Sequence, residues 1–244
     1  ALLLLPLLKQ DLMWDDEELQ TLFSKQEESF AGETAAVSGG DLPRKEAVEW
    51  VLRINSHYGF SASTAILAVS YLDRFLSGRS FQKEKPWMVQ LAAVACLSLA
   101  AKVEETYVPL LLDLQVEGAT KYAFEAKTIQ RMELLILSSL KWRMNSVTPL
   151  SFIDHGMRRL GLKNSNDDNL NWEFLRRCEN LLLIIISDSR FRRYSPSVLA
   201  GATMIYASGN GGAAVDECQV ISMLRISIEE VKQCCNFLSE TSAK

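Results

Sequence analysis

The sequence predicts an all-α protein: two tandem five-helix domains preceded by an N-terminal helix. Three observations carry this prediction. Apolar residues recur at three- and four-residue spacing along nearly the whole chain, and strict alternation is scarce. The segment 91–105, LAAVACLSLAAKVEE, stays uncharged until Lys102, so it reads as a helix buried on every side. A second small-residue run, VLAGATMIYAS at 198–208, follows Pro196 much as the first follows Pro86. The repetition suggests two domains, each wrapped around a central small-residue helix. The expected boundaries are 1–40 for an N-terminal helix and tether, 41–146 for the first domain and 147–244 for the second.

Each element follows from local pattern. An acidic amphipathic segment, Trp14–Lys25, carries Trp14, Leu19, Leu22 and Phe23 on its apolar side, and 29–40 reads as a small-residue tether. Asp41 offers an N-cap and Pro43 a first-turn proline. The helix they open has the stripe Ala47, Trp50, Val51, Ile54 and stops at Gly59. Further helices are expected over 63–76 and 86–105, with a short one at Val108–Val116. Another, over 125–140, aligns Ile129, Met132, Ile136 and Leu140. In the second half, Thr148-Pro149 opens a helix to Arg159, and a polar loop at 163–169 leads to a helix over 170–186. Ser195-Pro196 starts the second small-residue helix, and helices near 216–224 and 227–238 complete the set.

Composition narrows the function classes. Of 244 residues, 48% are hydrophobic and 23% charged, ordinary for a globular protein. A net charge of −4 argues against a sequence-independent grip on nucleic acid, which needs a basic face. The opening ALLLLPLL lacks a basic flank and a small-residue cleavage site, and no uncharged run reaches the roughly 18–20 residues of a membrane span. The chain opens on Ala, and a fragment of a longer protein is expected. Five cysteines without C-x-x-C spacing suggest a reduced protein with no structural zinc. Only two histidines occur, His57 and His155, and no nucleotide-binding or hydrolase motif accompanies them. Gly209–Gly212 follows a helix rather than a strand and reads as a surface loop. No catalytic residue, metal or cofactor is expected.

Some charges fall in apolar settings. Arg44 shares a face with Val48 and Val51, and Asp73 sits among Val69, Leu72 and Leu76. Charges pressed against a core favour partners, so an Arg44–Asp73 structural ion pair is expected. Lys102 ends the buried helix, where it complements the negative end of the macrodipole. Glu133 flanks the apolar face set by Met132 and Ile136.

Four strings now combine: RKEAVEWV at 44–51, YLDRFL at 71–76, LAAKVEE at 99–105 and RMELLIL at 131–137. Together they resemble a cyclin box. The longer wording, HYGFSASTAILAVSYLDRFLS and KPWMVQLAAVACLSLAAKVEE, is similar to plant D-type cyclins, and TPLSFIDH and SPSVLA mark the second domain more weakly. The resemblance implies two cyclin-box domains and a non-catalytic regulatory subunit that activates a cyclin-dependent serine/threonine kinase. It places the chain at the G1/S transition, in the nucleus and secondarily in the cytoplasm. It further implies that Lys102 and Glu133 reach backbone groups around the kinase's mobile C-helix, while Val103, Leu137, Trp142 and Met144 line the groove that takes it. Trp50, Val89 and Gln90 match the family's substrate-docking patch, with Trp50 as anchor. Pro43 and Glu46 stand where many cyclins carry Met and an aliphatic residue. Kinase inhibitor proteins and a retinoblastoma-type substrate are implied partners, although no L-x-C-x-E string occurs; nucleic acid and membrane are not. The rival readings are a cyclin-fold basal transcription factor that binds nucleic acid and a cyclin of a transcriptional kinase.

Overall fold

The computed structural model describes residues 16–28, 42–77, 85–115, 122–160, 168–209 and 215–242. The elements are α1 (16–28), α2 (Leu42–Tyr58), α3 (Ala62–Ser77), α4 (Pro86–Glu104), α5 (Ala126–Ser139), α6 (Pro149–Arg159), α7 (Asp168–Ile185), a 3-10 turn (Ser189–Arg193), α8 (Pro196–Gly209), α9 (Glu217–Leu224) and α10 (Ile228–Ser242). No strand occurs among the described residues. Asp41, the 29–40 tether, the 163–167 loop and Asn210–Gly212 lie outside them.

The chain divides into two compact units. One comprises Gly32–Ser146 with Leu182–Arg193; the other comprises Ala1–Ala31, Val147–Leu181 and Tyr194–Lys244. These differ from the expected borders in two places, each with a physical reason. Leu19 and Phe23 of α1 pack in the second unit, so the N-terminal helix belongs there. The segment just after α7 is tied to Arg44 through the carbonyls of Ile186 and Ser187, so it belongs to the first.

The first unit is built around α4. Pro86 occupies its first turn, where a missing N–H costs nothing, and Leu91–Ala101 are all buried. With 19 residues and a mean hydropathy of 1.5, α4 would qualify by length and composition as a membrane span, but most of it is enclosed by the protein itself. Its alanines let α2, α3 and α5 approach closely and surround it with Trp50, Ile54, Phe75, Ile129 and Ile136, all fully buried. Burying side chains of this size contributes about 1.5–3 kcal/mol each. Helix α2 ends in a Schellman motif: Gly59 adopts φ +66°, its N–H donates to the Ser56 carbonyl, and the Phe60 N–H donates to Asn55.

The helix expected at Val108–Val116 is replaced, over its described part, by a turn at 111–114. Asp113 and Leu114 N–H donate to the Leu110 carbonyl and Gln115 N–H donates to the Leu112 carbonyl, which makes turns rather than a regular helix. Only Leu114 of that turn is fully buried, so it gains too little apolar burial to extend a helix.

In the second unit α8 is the buried helix, with α6, α9 and α10 against it. A methyl group on Gly201 would collide with Cδ1 of Ile226, which explains a glycine inside a helix. The N-terminus of α8 is capped twice: Val198 N–H donates to Ser195 Oγ (3.4 Å), and Ser197 N–H donates to Gln26 Oε1 of α1 (2.8 Å). Arg158 pairs with Glu18 at 2.9 Å, Arg159 pairs with Asp16, and Phe23 meets Phe152 at 5.4 Å. The acidity of α1 thus matches the two arginines that end α6.

Candidate functional site

The first unit carries the residues singled out by motif. Lys102 lies in the last turn of α4 and its Nζ donates to Glu133 Oε1 on α5 at 2.6 Å. The lysine side chain is 45% exposed and that of the glutamate 10%, so the carboxylate is recessed and the ammonium looks outward. One of three ammonium protons is used on Glu133, leaving donors for a visitor. A compact salt-bridged pair is therefore already assembled at the surface.

Apolar side chains flank the pair in sequence, and two more follow α5. Val103 follows Lys102 and is half-exposed. Leu137 lies one turn beyond Glu133 on α5 and is half-buried. Leu134, which the motif reading passed over, is 60% exposed although it sits directly beside Glu133. Trp142 is 68% exposed, and Met144 half-buried.

The backbone explains how a tryptophan is held in water. Helix α5 ends in the same Schellman motif as α2: Lys141 N–H donates to Ser138 O (3.1 Å) and Trp142 N–H to Leu137 O (2.9 Å). Here no glycine takes the left-handed position. Lys141 has φ 53° and Trp142 φ 59°. Each left-handed non-glycine residue costs roughly 1–2 kcal/mol, and such strain persists where surrounding bonds over-determine it. Those bonds come from α3. Tyr71 Oη donates to the Met144 carbonyl at 2.5 Å, and Arg74 Nη1 donates to Arg143 O (3.2 Å) and to Ser146 Oγ. Burial, the largest influence, pushes the Tyr71 phenol well above its ordinary pKa, so it stays a donor at any physiological pH.

A second anchor fixes the exit of α4. Glu105 Oε1 accepts from Ser61 N–H (2.8 Å), Ser61 Oγ (3.0 Å) and Thr64 Oγ1 (2.5 Å) at the start of α3. Burial alone would raise its pKa, yet the donors from Thr64 and Ser61 outweigh it and leave the carboxyl below the usual range. A carboxyl lowered by folding stabilises the fold above its unfolded pKa, about 4.3, and loses that contribution as pH falls through the lower folded value. Thermal melts across pH 3–7 are therefore expected to show Glu105→Gln less stable than the parent at neutral pH. The gap should close below about pH 4. A constant gap would mean the ionised carboxylate contributes nothing.

Arg44 and Asp73 face each other in the core. Arg44 Nε donates to Oδ1 (2.6 Å) and Nη2 to Oδ2 (2.7 Å), with further bonds from Nη2 to Ile186 O (3.2 Å) and from Nη1 to Ser187 O (3.3 Å). The guanidinium joins α2, α3 and the carbonyl end of α7.

The docking patch needs a correction. Trp50 is 1% exposed, because it shares the buried stripe of Ala47, Val51 and Ile54, so it is no surface anchor. Val89 and Gln90 are half-exposed, Glu46 exposed and Pro43 half-buried. Trp50 Nε1 and Gln90 Nε2 are buried donors that meet no acceptor among the described residues.

His57 is exposed on α2, while His155 is fully buried on α6 of the other unit. Among the described residues no group of three or more His, Cys, Asp or Glu side chains could hold a metal ion. Burial pushes the Cys178 and Cys234 thiols up to about 12, which leaves them protonated and unreactive.

The family described as Cyclin, N-terminal domain matches residues 17–145, and Cyclin, C-terminal domain matches 147–244. Cyclin-D3-1 of Arabidopsis thaliana is 55% identical over 95% of this chain, and Cyclin-D3-3 of the same plant 52% over 95%. The chain spans 61% and 64% of the length of these two relatives. Among solved structures, a viral cyclin from herpesvirus saimiri aligns with TM-score 0.75 at 14% identity, covering 93% of this chain and 96% of that one. A chain of the CAK complex of Chaetomium thermophilum bound to ATP-gamma-S aligns with TM-score 0.58 at 14% identity, over 91% of this chain and 74% of that one. At such identity these likenesses speak for the fold alone.

Proposed function

The chain belongs to the cyclin family, and we propose that it is a non-catalytic regulatory subunit that binds and activates a cyclin-dependent kinase at cell-cycle entry, acting in the nucleus. The observation that carries this reading is the preassembled Lys102–Glu133 pair, flanked in sequence by exposed Val103 and Leu134, with exposed Trp142 following α5 in the same unit. Large aromatic and aliphatic groups around a recessed polar pair have the composition of a binding hot spot. A mobile kinase helix laid on such a surface would be pressed inward, completing the kinase's own Lys–Glu ion pair and ordering its activation loop. The cyclin supplies no reacting atom; its binding energy shifts a two-state equilibrium.

The deciding experiment mixes the purified chain with a panel of purified cyclin-dependent kinases, cell-cycle and transcriptional members included. Phosphotransfer to a peptide and affinity are both read. At least one cell-cycle kinase is expected to bind and gain activity by orders of magnitude, while the chain alone turns over no ATP. Stimulation of transcriptional kinases only, or of none, would overturn the reading.

Substrate docking is part of the same proposal, with inhibitor proteins and retinoblastoma-type substrates as the expected visitors. The unpartnered Nε2 of half-exposed Gln90 supports it, since a peptide carbonyl would satisfy that donor. Glu46 then decides the preference: covering a carboxylate with an apolar peptide is costly unless the peptide brings a cation. Glu46→Ile is expected to tighten apolar docking peptides several-fold and flatten the advantage of flanking Arg or Lys. Fluorescence titration against matched peptides checks this, and equal affinities for parent and variant would remove the patch from consideration. Trp50→Ala is a poor probe, because a cavity in place of a buried aromatic costs about 3–5 kcal/mol of stability.

A further inference from the structure

Helix α3 does more than fill the core, because its side chains hold the one stretch of the proposed kinase surface that has no regular structure. After α5 the chain passes through two consecutive left-handed residues, Lys141 and Trp142, with neither a glycine to relax them nor an extended buried face to hold them. Left to itself such a segment would sample other conformers, and an exposed tryptophan would fold back onto the nearest apolar surface. Three bonds from α3 oppose this. The fully buried Tyr71 places its hydroxyl on the Met144 carbonyl, and one nitrogen of Arg74 meets both the Arg143 carbonyl and Ser146 Oγ.

We infer that Tyr71 is a positioning residue for kinase recognition: its hydroxyl pins the Met144 carbonyl and so holds Trp142 outward in its binding pose. The inference rests on the reading of Trp142 as a kinase contact. A contact aromatic that is already immobile loses less freedom on binding, so the benefit of the Tyr71 bond appears in affinity as well as in stability. The donor is suited to the task. It is rigid, enclosed by core residues and unable to ionise in the working pH range, so the loop is held independently of pH.

The test is a double-mutant cycle on the full chain with whichever purified kinase of the panel binds most tightly. Tyr71→Phe removes one oxygen and keeps the ring. It is expected to weaken kinase binding about tenfold and to speed amide exchange at residues 142–146, while amides of α3 and α4 keep their protection. Trp142→Ala should weaken binding more strongly. In the Trp142→Ala background, Tyr71→Phe should add less than a further twofold, because the group it positions is gone. Should Tyr71→Phe not fold, Arg74→Met removes the neighbouring bonds at a half-exposed site and carries the same expectation with a smaller loss. Faster exchange with unchanged affinity, or effects that multiply independently, would overturn the inference while leaving the kinase surface intact. Undiminished binding by Trp142→Ala would overturn the surface itself, and the inference with it.

Discussion

Arg44→Ala is expected to destabilise the first unit by about 3–5 kcal/mol, lowering the thermal midpoint by on the order of 10 °C. The size of the effect comes from what remains, not from what is removed. Asp73 is 6% exposed and would be left buried with its bidentate partner gone. The carbonyls of Ile186 and Ser187 would lose their donors at the same stroke. Arg44→Lys should recover only part of the loss, since a single ammonium cannot reproduce a planar fork aimed at two oxygens and two carbonyls. The informative control is to remove both charges. Arg44→Met with Asp73→Leu leaves no uncompensated ion and should cost less than either single change, as buried pairs exchanged for apolar groups often do. Urea unfolding of the parent, Arg44→Ala, Arg44→Lys, Arg44→Met, Asp73→Leu and the double variant separates these outcomes. A single mutant within about 1 kcal/mol of the parent would mean the pair is solvated through local opening, contrary to its burial.

Much of this architecture was legible in the sequence because it rests on short-range pattern. The uncharged run of α4 and its counterpart in α8 announce themselves through composition, and prolines mark their first turns. Arg44 and Asp73 were paired on paper by asking which charges share a face with a core. Four things were not legible, each for a reason. The segment at 108–115 has apolar residues at helical density, yet Leu110 and Leu112 are exposed, and periodicity cannot say whether a stripe finds anything to cover it. The destination of α1 depends on Arg158 and Arg159, more than a hundred residues away, and no local signal links them. Trp50 carried two readings at once, stripe and anchor, and burial settled in favour of the stripe. Tyr71 and Glu105 lay inside quoted motifs, but their work is done through hydrogen bonds to Met144, Ser61 and Thr64, and hydrogen-bond partners distant in sequence leave no periodic trace.

Lys102→Ala and Glu133→Ala are each expected to weaken kinase binding by about 2–5 kcal/mol while leaving the fold largely intact. The two variants should differ in an instructive way. Lys102 is half-exposed, so its loss strips the surface of a cation and leaves Glu133 recessed behind it with an unmet carboxylate. In the complex that carboxylate would be sealed from water without its partner, which is the costlier situation. Glu133→Ala leaves instead a long flexible lysine that still reaches solvent in the free chain, but is no longer held in one direction. Its penalty is therefore partly entropic, and Glu133→Gln should restore some of it by offering an oxygen to the ammonium. In the free chain Glu133 is recessed but its partner Lys102 is half-exposed, so either change should cost about 1–2 kcal/mol and move the melting midpoint far less than Arg44→Ala does. That contrast with Arg44→Ala, which lowers stability first and binding only as a consequence, is what assigns Lys102 and Glu133 to recognition. Calorimetric titration of each variant with the activated kinase, beside a thermal melt of the same preparation, measures both halves. Full affinity in both variants would remove the pair from the interface and leave it as a local clasp between α4 and α5.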